Sequence, residues 1–137
     1  MKYLGLDLGK RKLGVAISDS LGIIASFYDN IKISSEEEML EEVKKIIDKE
    51  KIDKVVIGYP KNMDNSLGFR AEETEEFKKK LEKVFMGEII LEDERLTTKL
   101  AEDVLIKADM SRKKRKKVID GVSAVVILQS YLDRREK

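Results

Sequence analysis

Apolar and polar residues alternate over residues 3–9, and this period of two predicts a β-strand. Successive side chains of a strand point to opposite faces, so the three leucines of the segment share one face. The other face carries Asp7 between Gly5 and Gly9. An ionised Asp in such an apolar run is costly to bury unless its charge is compensated. A basic side chain, or a metal ion in room left by the two glycines, would compensate it. The simpler alternative is that Asp7 caps the following turn.

Further strands follow from the same kind of pattern. Residues 12–18 alternate again after a tight turn at 9–11, and residues 23–33 are rich in β-formers, which predicts a hairpin-linked third strand. Residues 53–59 form a short, nearly continuous apolar run, as in a buried parallel strand. Residues 88–91 predict a fifth strand.

Apolar residues at helical spacing predict four helices. The first follows Ser34 and Ser35, which form overlapping capping boxes with the glutamates three residues on. The second spans roughly 67–84, and the third runs from Thr97 and Thr98 to about Lys107. The run 118–132 has strand-like Val and Ile content, but its length and spacing favour a helix. The basic stretch 111–117 before it could be a mobile loop or a solvated face, or it could bind phosphates.

This order of elements, β-β-β-α-β-α-β-α-α, predicts an α/β fold with a five-stranded mixed sheet flanked by helices. Right-handed crossovers between the parallel strands favour the sheet order 3-2-1-4-5. The first strand, and with it Asp7, then lies in the centre of the sheet. At 137 residues, the chain fits one domain, 1–137.

Composition narrows the chemistry. The chain has no Cys and no His, which excludes a thiol nucleophile, a thiolate zinc site and a Ser–His–Asp relay. Carboxylates with a hard metal ion, Mg²⁺ or Mn²⁺, are the leading remaining option for an enzyme. The net charge is only +1, yet residues 107–117 hold seven basic groups against Asp109, which suggests an anion-binding edge. The chain shows neither a signal-peptide pattern nor a run of roughly 20 apolar residues, so we expect a cytoplasmic protein with no membrane association.

Three carboxylates, Asp7, Glu94 and Asp120, stand where this topology permits them to converge. Such a cluster would repel itself unless it held cations, and two divalent ions can activate a water and stabilise the leaving oxygen of a phosphodiester. Each acid has a simpler explanation. Glu94 could form a surface ion pair with Arg95, and Asp120 could cap its helix or pair with the basic stretch.

Four motifs stand in order over nearly the whole chain: GLDLG at 5–9, GYPKNMD at 58–64, DERLTT at 93–98 and DGVSA at 120–124. Together they resemble the YqgF family of small ribonuclease-H-like proteins, described as Holliday-junction resolvases and as nucleases that mature the 5′ end of pre-16S ribosomal RNA. Two departures are mild. Tyr59 stands where the family usually has Leu, and Asn65 stands where it usually has Gly.

The resemblance implies a ribonuclease-H-like fold, a divalent metal, and Asp7, Glu94 and Asp120 as the acidic triad. We therefore predict a metal-dependent nuclease in which these three residues are both catalytic and metal-binding. The resemblance also places the Asn62–Asp64 loop and the two threonines at the site. The residues predicted to contact nucleic acid are Lys10, Arg11, Asn62, Asp64, Arg70, Arg95, Thr97, Thr98, Arg112, Lys113, Lys114 and Arg115.

The substrate stays open at this point. Processing of pre-16S rRNA in ribosome biogenesis is favoured, and resolution of Holliday junctions in branched DNA is the alternative. A symmetric junction would need two sites and hence a dimer, and we expect a monomer or a weak homodimer. Two other classes remain. Residues 5–16 also look like the first phosphate loop of actin-like ATPases, and a ribonuclease-H-like module could be a nucleic-acid adaptor that does not cleave.

Overall fold

The computed structural model describes the backbone of residues 1–9, 11–59, 69–93 and 112–135. Side chains are described for the same residues except 69–71, 93, 112–122 and 135. The elements are β1 (Tyr3–Leu8), β2 (Lys12–Ser18), β3 (Ala25–Lys32), α1 (Glu36–Glu50), β4 (Lys54–Tyr59), α2 (Phe69–Glu82), β5 (Glu88–Asp93) and α3 (Arg112–Arg135).

The five strands form one mixed sheet in the order β3-β2-β1-β4-β5, which confirms the predicted order. β1 is the central strand. It pairs antiparallel with β2 and parallel with β4, which in turn pairs parallel with β5. The strands predicted from the apolar pattern therefore assemble in the order that right-handed crossovers favoured.

The two faces of the sheet are covered by different helices. The leucine face of β1 packs with α1 and α2 in one apolar cluster, whose β1 members are Leu4 and Leu6. The opposite face packs against α3 in a second cluster, formed by Tyr3, Ala16, Ala25, Val56, Ala124, Ile127, Leu128 and Leu132. The face of β1 that carries Asp7 is thus the α3 face.

The helices differ from the predictions mainly at their ends. α1 begins as expected after Ser35, whose hydroxyl accepts a hydrogen bond from the Glu38 backbone N–H at 3.1 Å. α2 is shorter than predicted. The predicted helix from Thr97 to Lys107 and the loop 60–66 lie outside the described residues. No helix in the described parts of the chain is both long and apolar enough to cross a membrane.

The last apolar run is a helix, as predicted, but it begins at Arg112 and ends at Arg135. The expectation of a basic loop at 111–117 is therefore wrong for residues 112–117, which form the first turns of α3. Lys and Arg are good helix formers, and the packed apolar stripe that follows extends the helix into the basic stretch. This start also removes one alternative for Asp120, since a residue in the third turn is not a helix cap.

Gly5 does not leave room for a ligand, contrary to our expectation. A Cβ atom on Gly5 would lie 2.7 Å from the Cβ of Leu128 and 3.2 Å from the Ala124 carbonyl oxygen, so α3 occupies the space above it. Gly9 belongs to the hairpin turn, where its N–H donates to the Lys12 carbonyl at 2.9 Å. The glycine at position 5 instead allows the helix to approach the central strand closely.

We predict that Gly5→Ala destabilises the protein by about 1–3 kcal/mol, because the added methyl overpacks the contact with α3. Where the native backbone can accept it, replacing Gly by Ala stabilises a protein by restricting the unfolded chain. A decrease in the free energy of unfolding would therefore report the clash itself. Urea unfolding of Gly5→Ala measures the effect, with Ser26→Ala on the exposed edge of β3 as the control. A variant as stable as the wild type would contradict this account of Gly5.

Candidate active site

Asp7 lies near the carboxyl end of the central strand, on the face that α3 covers, and it is half-buried. Its partner across the antiparallel pair is Gly14 of β2. A residue with no side chain therefore flanks the carboxylate on the β2 side. The small neighbour of Asp7 therefore lies across the sheet, at Gly14, which is itself buried.

The strand on the other side of Asp7 also presents a glycine. The parallel register pairs Gly5 with Val56, which places Gly58 two residues further on, level with Asp7. Gly58 pairs in turn with Glu92 of β5. One row across the α3 face of the sheet therefore contains Gly14, Asp7, Gly58 and Glu92, with roughly 10 Å between the two acidic residues across two strand spacings.

Glu92 is a charged residue that the sequence analysis did not single out. It is only 4% exposed, and its Oε2 accepts a hydrogen bond from the Nη2 of Arg134 on α3 at 2.6 Å. The alternation in β5 puts Glu92 on the same face as Ile90, which packs in the α3 cluster. That alternation was the available signal, but the acidic run 92–94 looked like the exposed end of a strand.

Asp120 is described by its backbone alone. It lies four residues, or one turn, before Ala124, and so continues the stripe of α3 positions that are buried against the sheet. Along this stripe the Tyr131 ring lies 5.9 Å from the Tyr3 ring, and Ala124 contacts Gly5. α3 thus runs antiparallel to β1, and earlier residues of the helix lie over later residues of the strand.

The remaining predicted residues are only partly placed. Glu94 immediately follows Asp93, the last residue of β5, and lies outside the described residues, as do Lys10, Asn62, Asp64, Arg95, Thr97 and Thr98. Arg70 lies in α2, and the predicted contacts Arg112 to Arg115 form the first turn of α3. Only the backbone of these residues is described. Among the described side chains, no three acidic groups come together as a metal site would require.

Arg11 is placed apart from Asp7. It lines a cavity of about 500 Å³ on the side of the sheet covered by α1 and α2, with Leu8 and Phe77 among its apolar neighbours. The cavity is also lined by acidic side chains, namely Glu36, Glu72, Glu73 and Glu76. Such a lining repels phosphate groups, so this cavity does not resemble a nucleic-acid site.

Tyr59, one of the two departures from the family pattern, also lies away from Asp7. Its hydroxyl donates a hydrogen bond to Glu75 Oε1 of α2 at 2.9 Å. Burial raises the pKa of Tyr59, and the neighbouring Glu75 carboxylate raises it further. The phenol therefore stays protonated and joins β4 to α2 on the face opposite Asp7.

Comparison with known proteins identifies the family. Residues 1–134 match the RuvX family, which is described as a Holliday junction resolvase. The chain belongs to this family. The resemblance to the YqgF family is thereby confirmed, and so is the prediction of a nuclease, a hydrolase that acts on phosphodiester bonds of nucleic acid.

Curated relatives match this chain over nearly its whole length. A protein of Geobacillus sp. (strain WCH70) is 52% identical over 99% of this chain and 100% of its own, and a protein of Bacillus subtilis (strain 168) is 50% identical over 97% and 98%. Both carry the name "Putative pre-16S rRNA nuclease".

Solved structures support the ribonuclease-H-like fold. RuvC of T. thermophilus, in complex with a Holliday junction substrate, has a TM-score of 0.68 at 14% identity and covers 99% of this chain and 96% of its own. The fowlpox virus resolvase, in complex with Holliday junction DNA, has a TM-score of 0.64 at 17% identity, with full coverage of both chains. At these identities the likeness concerns the fold.

We predict that Gly14→Val lowers nuclease activity about 10-fold or more, because the new side chain would crowd Asp7 across the strand pair, and shifts of about 1 Å suffice for such losses. Val suits a strand, and circular dichroism checks that the sheet is retained. Gly14→Ala should give a smaller loss, and Ser26→Val on β3 should give none. Full activity in Gly14→Val would show that a residue without a side chain is not needed beside Asp7.

Proposed function

We propose that this RuvX-family chain is a metal-dependent nuclease with an active site built from Asp7, Glu94 and Asp120, and that it processes the 5′ end of pre-16S rRNA. The observation that carries the proposal is the close packing of α3 on Gly5. This contact brings the helix that contains Asp120 onto the central strand, on the same face as Asp7.

Backbone spacing supports the approach of two of the acids. Asp7 lies two residues, about 7 Å, beyond Gly5 along β1. Asp120 lies one turn, about 5–6 Å, before Ala124 on α3, and Ala124 is one of the two residues in contact with Gly5. α3 runs antiparallel to β1, so both residues are displaced from the Gly5 contact in the same direction. Asp7 and Asp120 therefore lie near each other across the helix–sheet interface.

The topology supports a place for Glu94 in this arrangement. β1, β4 and β5 are parallel, so their carboxyl ends lie at one edge of the sheet. Glu94 follows the last residue of β5 at that edge, where Asp7 lies near the end of β1. In open α/β sheets, this is the edge at which ligands bind.

The donor set fits a hard divalent ion. Asp7 provides carboxylate oxygens in a row where its neighbours on β2 and β4 have no side chains, and the chain offers no His or Cys that would favour a softer metal. Asp7, Glu94 and Asp120 would hold Mg²⁺ or Mn²⁺. When bound, such an ion supplies activation of the attacking water and neutralisation of charge at the departing oxygen.

The basic start of α3 gives the site a means to bind the nucleic-acid backbone. Residues 112–117 are six consecutive Lys and Arg residues on the same helix as Asp120, and precede it by three to eight residues, or roughly 4–12 Å along the axis. Phosphates bound there would lie beside the acids. Binding through such contacts weakens as salt increases.

The names of the bacterial relatives favour RNA as the substrate, and a cytoplasmic location is consistent with that substrate. Resolution of Holliday junctions is the second candidate, because the family is described by this activity and the compared structures hold junction DNA. The two candidates differ in what they require, since symmetric cleavage of a junction needs two active sites, whereas trimming of an RNA end needs one.

We expect Asp7→Asn to reduce cleavage of 5′-labelled pre-16S rRNA by about 100-fold or more, because the loss of a metal ligand forfeits several kcal/mol of transition-state stabilisation. EDTA should abolish wild-type cleavage, and Mg²⁺ or Mn²⁺ should restore it. Asp48→Asn, at an exposed position on α1, is the matched control. Undiminished cleavage by folded Asp7→Asn protein would contradict the mechanism.

A direct competition decides between the substrates. We expect the wild-type protein to cleave pre-16S rRNA in preference to a four-way DNA junction of equal length at the same salt concentration, and to do so as a monomer by size-exclusion chromatography with light scattering. Paired, symmetric cuts in the junction by a dimeric species, without cleavage of the RNA, would instead establish the resolvase.

A further inference from the structure

The ion pair between Glu92 and Arg134 joins the end of β5 to the last turn of α3. Its two partners are unequal, because Glu92 is buried whereas the Arg134 side chain is 62% exposed. A buried carboxylate is costly without a compensating charge. Arg134 supplies such a charge at 2.6 Å, so a displacement of its guanidinium group would cost free energy. Arg134 also lies over the Tyr131 ring, 5.8 Å from its centre, which restricts the guanidinium further.

α3 is attached to the opposite edge of the described sheet as well. The Gln129 side chain accepts a hydrogen bond from the Ala25 N–H at 2.8 Å and donates one to the Ile23 carbonyl at 2.9 Å, at the start of β3. Gln129 and Arg134 are five residues apart and project about 140° from each other around the helix. The carboxyl-terminal half of α3 is therefore tied both to β3 and to β5.

Such a pair of ties fixes the direction of the helix over the sheet. A single contact at Gly5 would permit α3 to pivot about that point, and attachments on both sides oppose this rotation. Asp120 lies four to eight residues, about 6–12 Å, from the two α3 residues at this contact, on the other side of it from Arg134. A rotation of α3 by about 5–10° about the Gly5 contact would thus move Asp120 by about 1 Å, a displacement large enough to matter at a metal site.

We propose that Glu92 and Arg134 are positioning residues that hold α3, and with it Asp120, at the distance from Asp7 that divalent-metal binding requires. We call this ion pair the α3 latch. The inference rests on the proposed function, because it assumes that Asp7 and Asp120 hold the metal. Glu92 is also close to the proposed site in sequence, because it precedes Glu94 by two residues.

The test uses Arg134→Met, which keeps an unbranched apolar stem and removes the guanidinium group with its charge. We expect the Mn²⁺ concentration for half-maximal cleavage to rise about 10-fold, as is typical when residues that support metal ligands are replaced. The Mn²⁺-induced rise in melting temperature should shrink as well, which reports metal binding without cleavage. Arg134→Lys should restore most of both. The double variant Glu92→Gln/Arg134→Met should show no further loss, because the two residues act as one unit.

The matched control is Lys54→Met, which removes an ion pair with Glu88 (3.3 Å) that joins β4 to β5 without involving α3. It should leave the Mn²⁺ requirement unchanged. If Arg134→Met lowers the melting temperature but keeps the wild-type Mn²⁺ requirement, the latch serves only the fold and the proposal is overturned.

Failure of the proposed function gives a different result. It would appear as wild-type protein that shows no metal-dependent cleavage and no Mn²⁺-induced change in melting temperature. Hydrogen exchange of the α3 backbone amides then tests whether the ion pair holds the helix. Faster exchange in Arg134→Met than in Lys54→Met supports that role, and equal exchange overturns it.

Discussion

The contact between α3 and Gly5 of the central strand is the constraint on which the rest of the candidate site depends. Leu128 and the Ala124 carbonyl fill the place where any other residue would have a side chain. The helix can approach this closely only at a glycine, and the approach determines how far a group on α3 lies from a group on β1. The apolar residues around the contact supply the driving force, and the glycine determines the distance.

Charge is distributed according to the same geometry. The α1 and α2 side of the sheet has an acidic cavity, whereas the α3 side combines carboxylates on the sheet with a helix that begins in six basic residues. A polyanion would be repelled from the first side, whereas the proposed nucleic-acid contacts belong to the helix on the second. The two layers of one small fold therefore differ in what they can bind, although the net charge of the chain is close to zero.

The sequence was informative where one residue's neighbours along the chain decide its environment. Alternation along residues 3–9 was sufficient to place Asp7 on the face opposite the leucines, and crossover handedness was sufficient for the strand order. The pattern failed where the deciding neighbour comes from elsewhere in the chain. The residues around Gly5 in the sequence do not predict its contact with Leu128. Those around Glu92 do not predict its ion pair with Arg134, 42 residues later. The helical start at Arg112 likewise depends on packing further along α3, so local composition suggested a loop.

The position of α3 in the chain has a consequence for biosynthesis. All five strands precede it, so the ribosome releases the complete sheet before the helix that covers one of its faces. Chains fold from the amino-terminal side as they emerge. Until α3 follows, Tyr3 and Val56 on that side of the sheet are exposed to solvent, and Asp7 lacks the helix that carries Asp120. Under the proposed mechanism, a nascent chain becomes an active nuclease only after α3 has emerged from the ribosome.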